Sequence, residues 1–124
     1  MGKKIIVIDD SKTIRDMVRF ALERAGYSVV EAIDGQDGID KLKSLPDIAL
    51  AIVDVNMPNI GGVEMLEMLK QGAIAQSVPV IVLTTEGGAS LIQRAKQAGA
   101  RGWMVKPFKP ELLVATVGKL AGAP

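Results

Sequence analysis

The chain has 124 residues, no cysteine and no histidine, and 15 basic against 14 acidic side chains, a formal net charge of +1. That balance excludes a disulfide framework, thiolate or imidazole catalysis, and the basic footprint of a nucleic-acid binder. With 48% hydrophobic residues the chain is not disordered, and 3% aromatic leaves no platform for stacked bases.

The length suits one domain, taken as residues 1–124, with enough core to fold without staples. No apolar run is long enough to cross a membrane. After the basic Met-Gly-Lys-Lys start, Ile5–Ile8 is too short for a signal peptide, so the expected location is cytoplasmic. Gly2 follows Met1, but Ile6 stands where a myristoylation signal needs Ser or Thr.

In chain order, Lys4–Ile8 reads as a buried strand ending on Asp9-Asp10. Ser11 can cap the next helix, whose apolar positions Ile14, Met17, Val18, Ala21, Leu22 and Ala25 recur at helical spacing. Gly26 stops it. Tyr27–Ala32 is a second strand, and Asp34-Gly35 a turn before a weaker helix through Ile39 and Leu42, closed by Pro46. Ile48–Val53 is the third strand, ending on Asp54. Asn56–Gly62 is a loop, and Val63, Leu66 and Leu69 mark a third helix ending near Gly72. Val78–Thr84 is a fourth strand. Gly87-Gly88 opens a helix that runs to about Ala98. Gly102–Val105 is a fifth strand, followed by Lys106-Pro107 and a last helix through Leu113, Val117 and Leu120.

Five β-α repeats imply a single doubly wound α/β domain with a parallel sheet covered on both faces. The strands lack period-2 alternation, as expected for burial on both sides. Ligands of such sheets bind beyond the C-terminal strand ends. There the first strand brings Asp9 and Asp10, the third Asp54, the fourth Thr84 and Thr85, and the fifth Lys106. The second strand ends at Ala32 and contributes nothing polar.

Taken singly, each of these is more often a cap, a turn former or a solvated charge. Together they point to one chemistry. Two carboxylates about 4 Å apart repel by roughly 4 kcal/mol at an effective dielectric near 20, so a cluster of three takes up protons or a divalent cation. Without Cys or His the ligands must be oxygen, which points to Mg²⁺, Mn²⁺ or Ca²⁺, and an open site that keeps several waters fits Mg²⁺, with Mn²⁺ as a substitute. Asp10 and Asp54 would bind through their side chains, Asn56 through its backbone carbonyl, and Asp9 through water. Cation, carboxylate, hydroxyl and ammonium together suit phosphoryl transfer, with Asp54 as the acceptor.

Four blocks carry a family resemblance. Ile-Val-Ile-Asp-Asp-Ser, Val-Asp-Val-Asn-Met-Pro, Val-Leu-Thr-Thr-Glu and Val-Lys-Pro-Phe stand at the ends of the first, third, fourth and fifth strands. In that order they resemble a response-regulator receiver domain over essentially the whole chain, most like the single-domain chemotaxis type. The resemblance implies a flavodoxin-like sheet in the order 2-1-3-4-5. It implies Asp54 as phosphoryl acceptor, Asp9 and Asp10 as the acidic pair, Asn56 as carbonyl ligand, Thr84 as switch hydroxyl and Lys106 as the lysine meeting the phosphoryl group. It also implies Trp103 as switch aromatic, a cis bond at Lys106–Pro107, and Asn56 and Glu86 as the residues tuning dephosphorylation.

The implied partners are a sensor histidine kinase or phosphotransfer domain, a motility-apparatus component and a phosphatase. No nucleic acid or membrane insertion is expected, and the protein should be a monomer. The chain would catalyse its own phosphorylation and dephosphorylation rather than a metabolic reaction. Three departures stand out. Gly61 replaces the usual Asp, so the loop should loosen. Trp103 is bulkier than the usual Tyr or Phe, which should restrict its inward swing. Gly87-Gly88 softens the start of the fourth helix.

Three other readings compete. A phosphorelay intermediate with another output would share the site. A small Mg²⁺-dependent aspartyl-phosphate phosphohydrolase or phosphotransferase would use the same groups but needs insertions for its substrate. A flavodoxin-like cofactor carrier would need a Ser/Thr/Gly-rich phosphate loop where this chain has acids.

Overall fold

The computed structural model describes residues 2–57, 60–85 and 89–124. In chain order it contains β1 (Lys4–Ile8), α1 (Lys12–Arg24), β2 (Ser28–Ala32), α2 (Gly35–Ser44), β3 (Ile48–Asp54), α3 (Gly62–Gln71), β4 (Val80–Thr84), α4 (Ala89–Gln97), β5 (Gly102–Val105) and α5 (Pro110–Ala121). All strand pairs are parallel and the order is β2-β1-β3-β4-β5. The alternation of elements and the strand order expected from sequence are both present.

The sheet divides the core in two. On one face Ile5, Val7, Leu50, Ile52, Ile81 and Leu83 pack with Val18 and Leu22 of α1 and Leu113 and Val117 of α5. On the other, Ile6, Ile8, Ala51, Val53 and Val82 pack with Ile39 and Leu42 of α2, Met65, Leu66 and Leu69 of α3 and Ala95 of α4. Alternate residues of one strand feed opposite clusters, as the pleat requires. That is why the central strands read as unbroken apolar runs. α1 begins at Ser11, whose hydroxyl accepts from the Ile14 N–H at 3.3 Å, and ends before Gly26, which takes the left-handed conformation (φ 102°).

β4 and β5 differ most from the sequence expectation. β4 begins at Val80, not Val78. The Val78 N–H closes a turn onto the Ala75 carbonyl at 3.0 Å, and Pro79 has no N–H to give the ladder. β5 alternates: Met104 is buried, while Trp103 is 41% and Val105 45% exposed. It is a sheet edge, so one of its faces is only partly covered. Gly87-Gly88 lies outside the described residues. Among those described, no helix is long and apolar enough to cross a membrane.

Candidate functional site

The C-terminal ends of β1, β3, β4 and β5 bring the predicted groups together. Asp9 is fully buried, Asp54 is 3% and Thr84 1% exposed, and Asp10 faces solvent. Oxygens of the Asp9, Asp10 and Asp54 carboxylates all lie within 4.8 Å of one another. The Lys106 ammonium stands between two of them, 3.1 Å from Asp9 Oδ2 and 3.1 Å from Asp54 Oδ1. It is carried there by the β4–β5 pair, since the Lys106 N–H donates to the Thr84 carbonyl at 2.7 Å.

The turn after β1 is ordered by its own acid: the Ser11 N–H donates to Asp9 Oδ1 at 2.8 Å. After β3, the Asn56 N–H donates to Asp54 Oδ1 at 3.2 Å, and the Asn56 side-chain amide donates to Thr85 Oγ1 at 3.2 Å. Both bonds to Asp54 fall on Oδ1. The Lys106–Pro107 peptide is cis, as the resemblance implies.

Burial pushes the Asp54 pKa above the ordinary carboxylate value, and the Asp9 charge adds to this. Lys106 and the Asn56 N–H pull the other way without cancelling it. Burial alone would lower the Lys106 pKa, but its hydrogen bonds and charge contacts with Asp9 and Asp54 outweigh that and hold it above the usual lysine value. Three carboxylates, two of them paired with one ammonium, form an acidic, oxygen-only donor set that suits a hard divalent cation such as Mg²⁺.

At the start of α3, Gly61 and Gly62 bring the chain close to β3. Gly61 and Gly62 are buried, and the Gly62 N–H donates to the Val55 carbonyl at 3.3 Å. A Cβ on Gly61 would stand 2.8 Å from the Val55 oxygen, and one on Gly62 would stand 2.6 Å from the Asp54 oxygen. The two glycines let the chain here lie directly on the backbone that ends β3. Glu64 supplies the acid in the first turn of α3. Glu86 lies outside the described residues.

Trp103 sits on β5 with its ring capped by the Lys96 ammonium of α4, 4.6 Å from the ring centroid. Sequence reasoning missed that partner. It also missed Glu31, which makes β2 a polar contributor after all: its carboxylate meets Arg15 at 3.0 Å and also pairs with Arg19, and Arg15 donates to the Asp9 carbonyl at 2.7 Å. One signal was available, an acid inside the apolar run Val-Val-Glu-Ala, which asks for a buried cation.

A five-stranded parallel sheet with acids, hydroxyl and lysine at one edge defines a class, and comparison with known proteins gives it a name. The family described as "Response regulator receiver domain" matches residues 5–118, and the chain belongs to it. Within that family its relatives include CheY1 of Helicobacter pylori, 36% identical over 111 residues, covering 89% of this chain and 90% of the relative. A CheY homolog of Campylobacter jejuni is also 36% identical, covering 89% and 85%. The solved structure of Vibrio cholerae CheY4 superposes with a TM-score of 0.90 at 37% identity, covering 97% and 99% of the two chains. The fold is therefore the CheY-like receiver fold of two-component response regulators.

Proposed function

We propose that this protein is a response regulator that accepts a phosphoryl group on Asp54 from a histidine kinase or phosphotransfer domain and signals in chemotaxis or motility. The observation that carries the reading is the Lys106 ammonium held 3.1 Å from both Asp9 and Asp54 inside the three-carboxylate cluster. The chemotaxis assignment draws on the names of the relatives, which match over most of their own length.

In the transfer, a carboxylate oxygen of Asp54 forms a bond to phosphorus while the donor's N–P bond breaks. The histidine nitrogen keeps the electron pair. Asp10 and Asp54, the Asn56 carbonyl and Asp9 through water are the groups that would hold Mg²⁺ or Mn²⁺. When bound, the cation supplies positive charge against the phosphoryl oxygens. Lys106 supplies a second positive charge from the protein itself. Asn56 and Glu86 tune how long the acyl phosphate lasts.

Thr84 and Lys106 then close on the phosphoryl group. Charge-assisted hydrogen bonds contribute about 1.5–3 kcal/mol each, so two give about 3–6 kcal/mol. Shifting an equilibrium from 1:99 to 99:1 takes about 5.5 kcal/mol. Two contacts are thus of the right size to switch the face around Trp103, reaching the requirement near the upper end of their range.

The test is Mg²⁺-dependent labelling by acetyl phosphate. Asp54→Asn should abolish it, and labelling that persists would place the acceptor elsewhere. Thr84→Ala should be labelled as wild type while Trp103 fluorescence no longer responds to phosphorylation. An unchanged response would remove Thr84 from the switch.

A further inference from the structure

We infer that Arg15 is a positioning residue for the cation site, acting through the peptide that joins Asp9 to Asp10. Every polar group of Asp9 has a partner. Its N–H donates to the Ala32 carbonyl at 3.1 Å, Oδ1 accepts from the Ser11 N–H, Oδ2 accepts from Lys106, and its carbonyl accepts from Arg15 Nη1 at 2.7 Å. Among the described residues, by contrast, the Asp10 carboxylate has no hydrogen bond or ion pair. Its aim therefore depends on its backbone. The Asp9 carbonyl and the Asp10 N–H lie in one rigid peptide plane, so whatever fixes that carbonyl fixes the direction from which Asp10 leaves the chain.

Arg15 is built to do this. Its side chain is only 12% exposed, and Nε donates to Glu31 Oε1 at 3.0 Å while Nη1 reaches the Asp9 carbonyl. Glu31 is held in turn. Arg19 binds its other carboxylate oxygen, and the Lys41 ammonium donates to its backbone carbonyl at 2.6 Å. β2 is thus a brace. It is paired to β1 with Glu31 opposite Val7, and it sets the guanidinium whose planar fork can satisfy a carboxylate and a carbonyl together. Groups that orient metal ligands from outside the coordination sphere commonly change metal affinity 10–100-fold.

The inference rests on the Mg²⁺ reading above, and the experiment separates the two. Mg²⁺ is titrated into the metal-free protein, read by Trp103 fluorescence and by the rise in thermal midpoint, for wild type, Arg15→Met, Arg15→Lys and Arg19→Met. Arg19→Met takes a partner from Glu31 but leaves the Asp9 carbonyl contact in place. Arg15→Met should bind Mg²⁺ about tenfold more weakly yet still be labelled by acetyl phosphate at saturating Mg²⁺. Arg15→Lys should recover part of the loss, and its milder change keeps the test open if Arg15→Met folds poorly. Arg19→Met, which loosens Glu31 but keeps the Asp9 carbonyl contact, should weaken binding clearly less than Arg15→Met. Equal weakening in Arg15→Met and Arg19→Met would mean a general loss of packing and would overturn the inference, as would wild-type affinity in both Arg15 variants. A wild type without any Mg²⁺ response would overturn the cation reading itself and the inference with it.

Discussion

The two edges of the sheet are built differently. At β2 the edge is tied down: Glu31 meets Arg15 and Arg19, and Lys41 bonds its carbonyl. At β5 the edge presents Trp103 and Val105 to solvent, and among the described residues one cation, Lys96, caps the ring. The difference teaches a division of labour. The β2 edge fixes the acid pair through Arg15. The β5 edge, whose contacts are exposed and weak, can be rearranged at small cost. Lys106 sits where these demands meet, half-buried against Asp9 and Asp54 just after β5.

Substitutions should rank accordingly. The largest loss is expected from Lys106→Met, which leaves Asp9 and Asp54 buried without their cation. Breaking such a contact costs about 3 kcal/mol. In urea unfolding without metal the loss should be greatest at neutral pH and smaller in mild acid, where Asp54, its pKa raised by burial, can take up a proton. A midpoint close to wild type at neutral pH would mean that the ammonium contributes nothing to holding β5 in place.

Next comes Glu31→Ala. It removes one carboxylate from between two arginines, and with the site partly exposed the expected cost is about 2 kcal/mol. The same measurement checks it. A loss below that of Lys96→Met would erase the contrast between the edges.

A smaller effect, with a definite sign, concerns Asp54. Its pKa is raised in the folded protein, chiefly by burial, so the folded chain holds this proton more tightly than the unfolded chain does. The associated stability is complete below the unfolded carboxylate pKa and is lost as pH rises through the folded value. Metal-free Asp54→Asn should therefore lose less stability than wild type between mild acid and neutrality. Parallel pH profiles for the two proteins would show that Lys106 and the Asn56 N–H compensate fully.

The smallest effect should be Lys96→Met. An exposed cation–π contact contributes about 0.5 kcal/mol. The unfolding midpoint should hardly move, while the fluorescence of Trp103, the only tryptophan, should change in intensity. An unaltered spectrum would mean that the ammonium does not rest on the ring in solution.

Much of this was legible in the chain. Apolar runs and glycine stops located the elements, and the rule that parallel sheets gather ligands at their C-terminal ends put Asp9, Asp10, Asp54, Thr84 and Lys106 at one place. The misses have physical reasons. Gly-Trp-Met-Val is apolar throughout, so its residue types cannot show that β5 is an edge with one exposed face. Arg15 looks like one of several charges on α1, and only Glu31, an acid out of place in an apolar strand, hinted at its role. Gly61 was expected to loosen its loop. That inference weighed the lost side chain and not the backbone that comes close in its place, with the Val55 oxygen 2.8 Å from where a Cβ would be.

Lys106 has one more consequence. The three carboxylates carry a formal charge of −3 and the ammonium returns +1, leaving −2 in a half-dry recess. One divalent ion restores neutrality, a monovalent ion falls one charge short, and a trivalent ion overshoots. Under the proposed cation reading, the lysine would act as a built-in counter-ion that favours a divalent ion. Lys106→Met would leave −3, and the recess would then favour ions of higher charge, so a lanthanide should gain on Mg²⁺ in that variant.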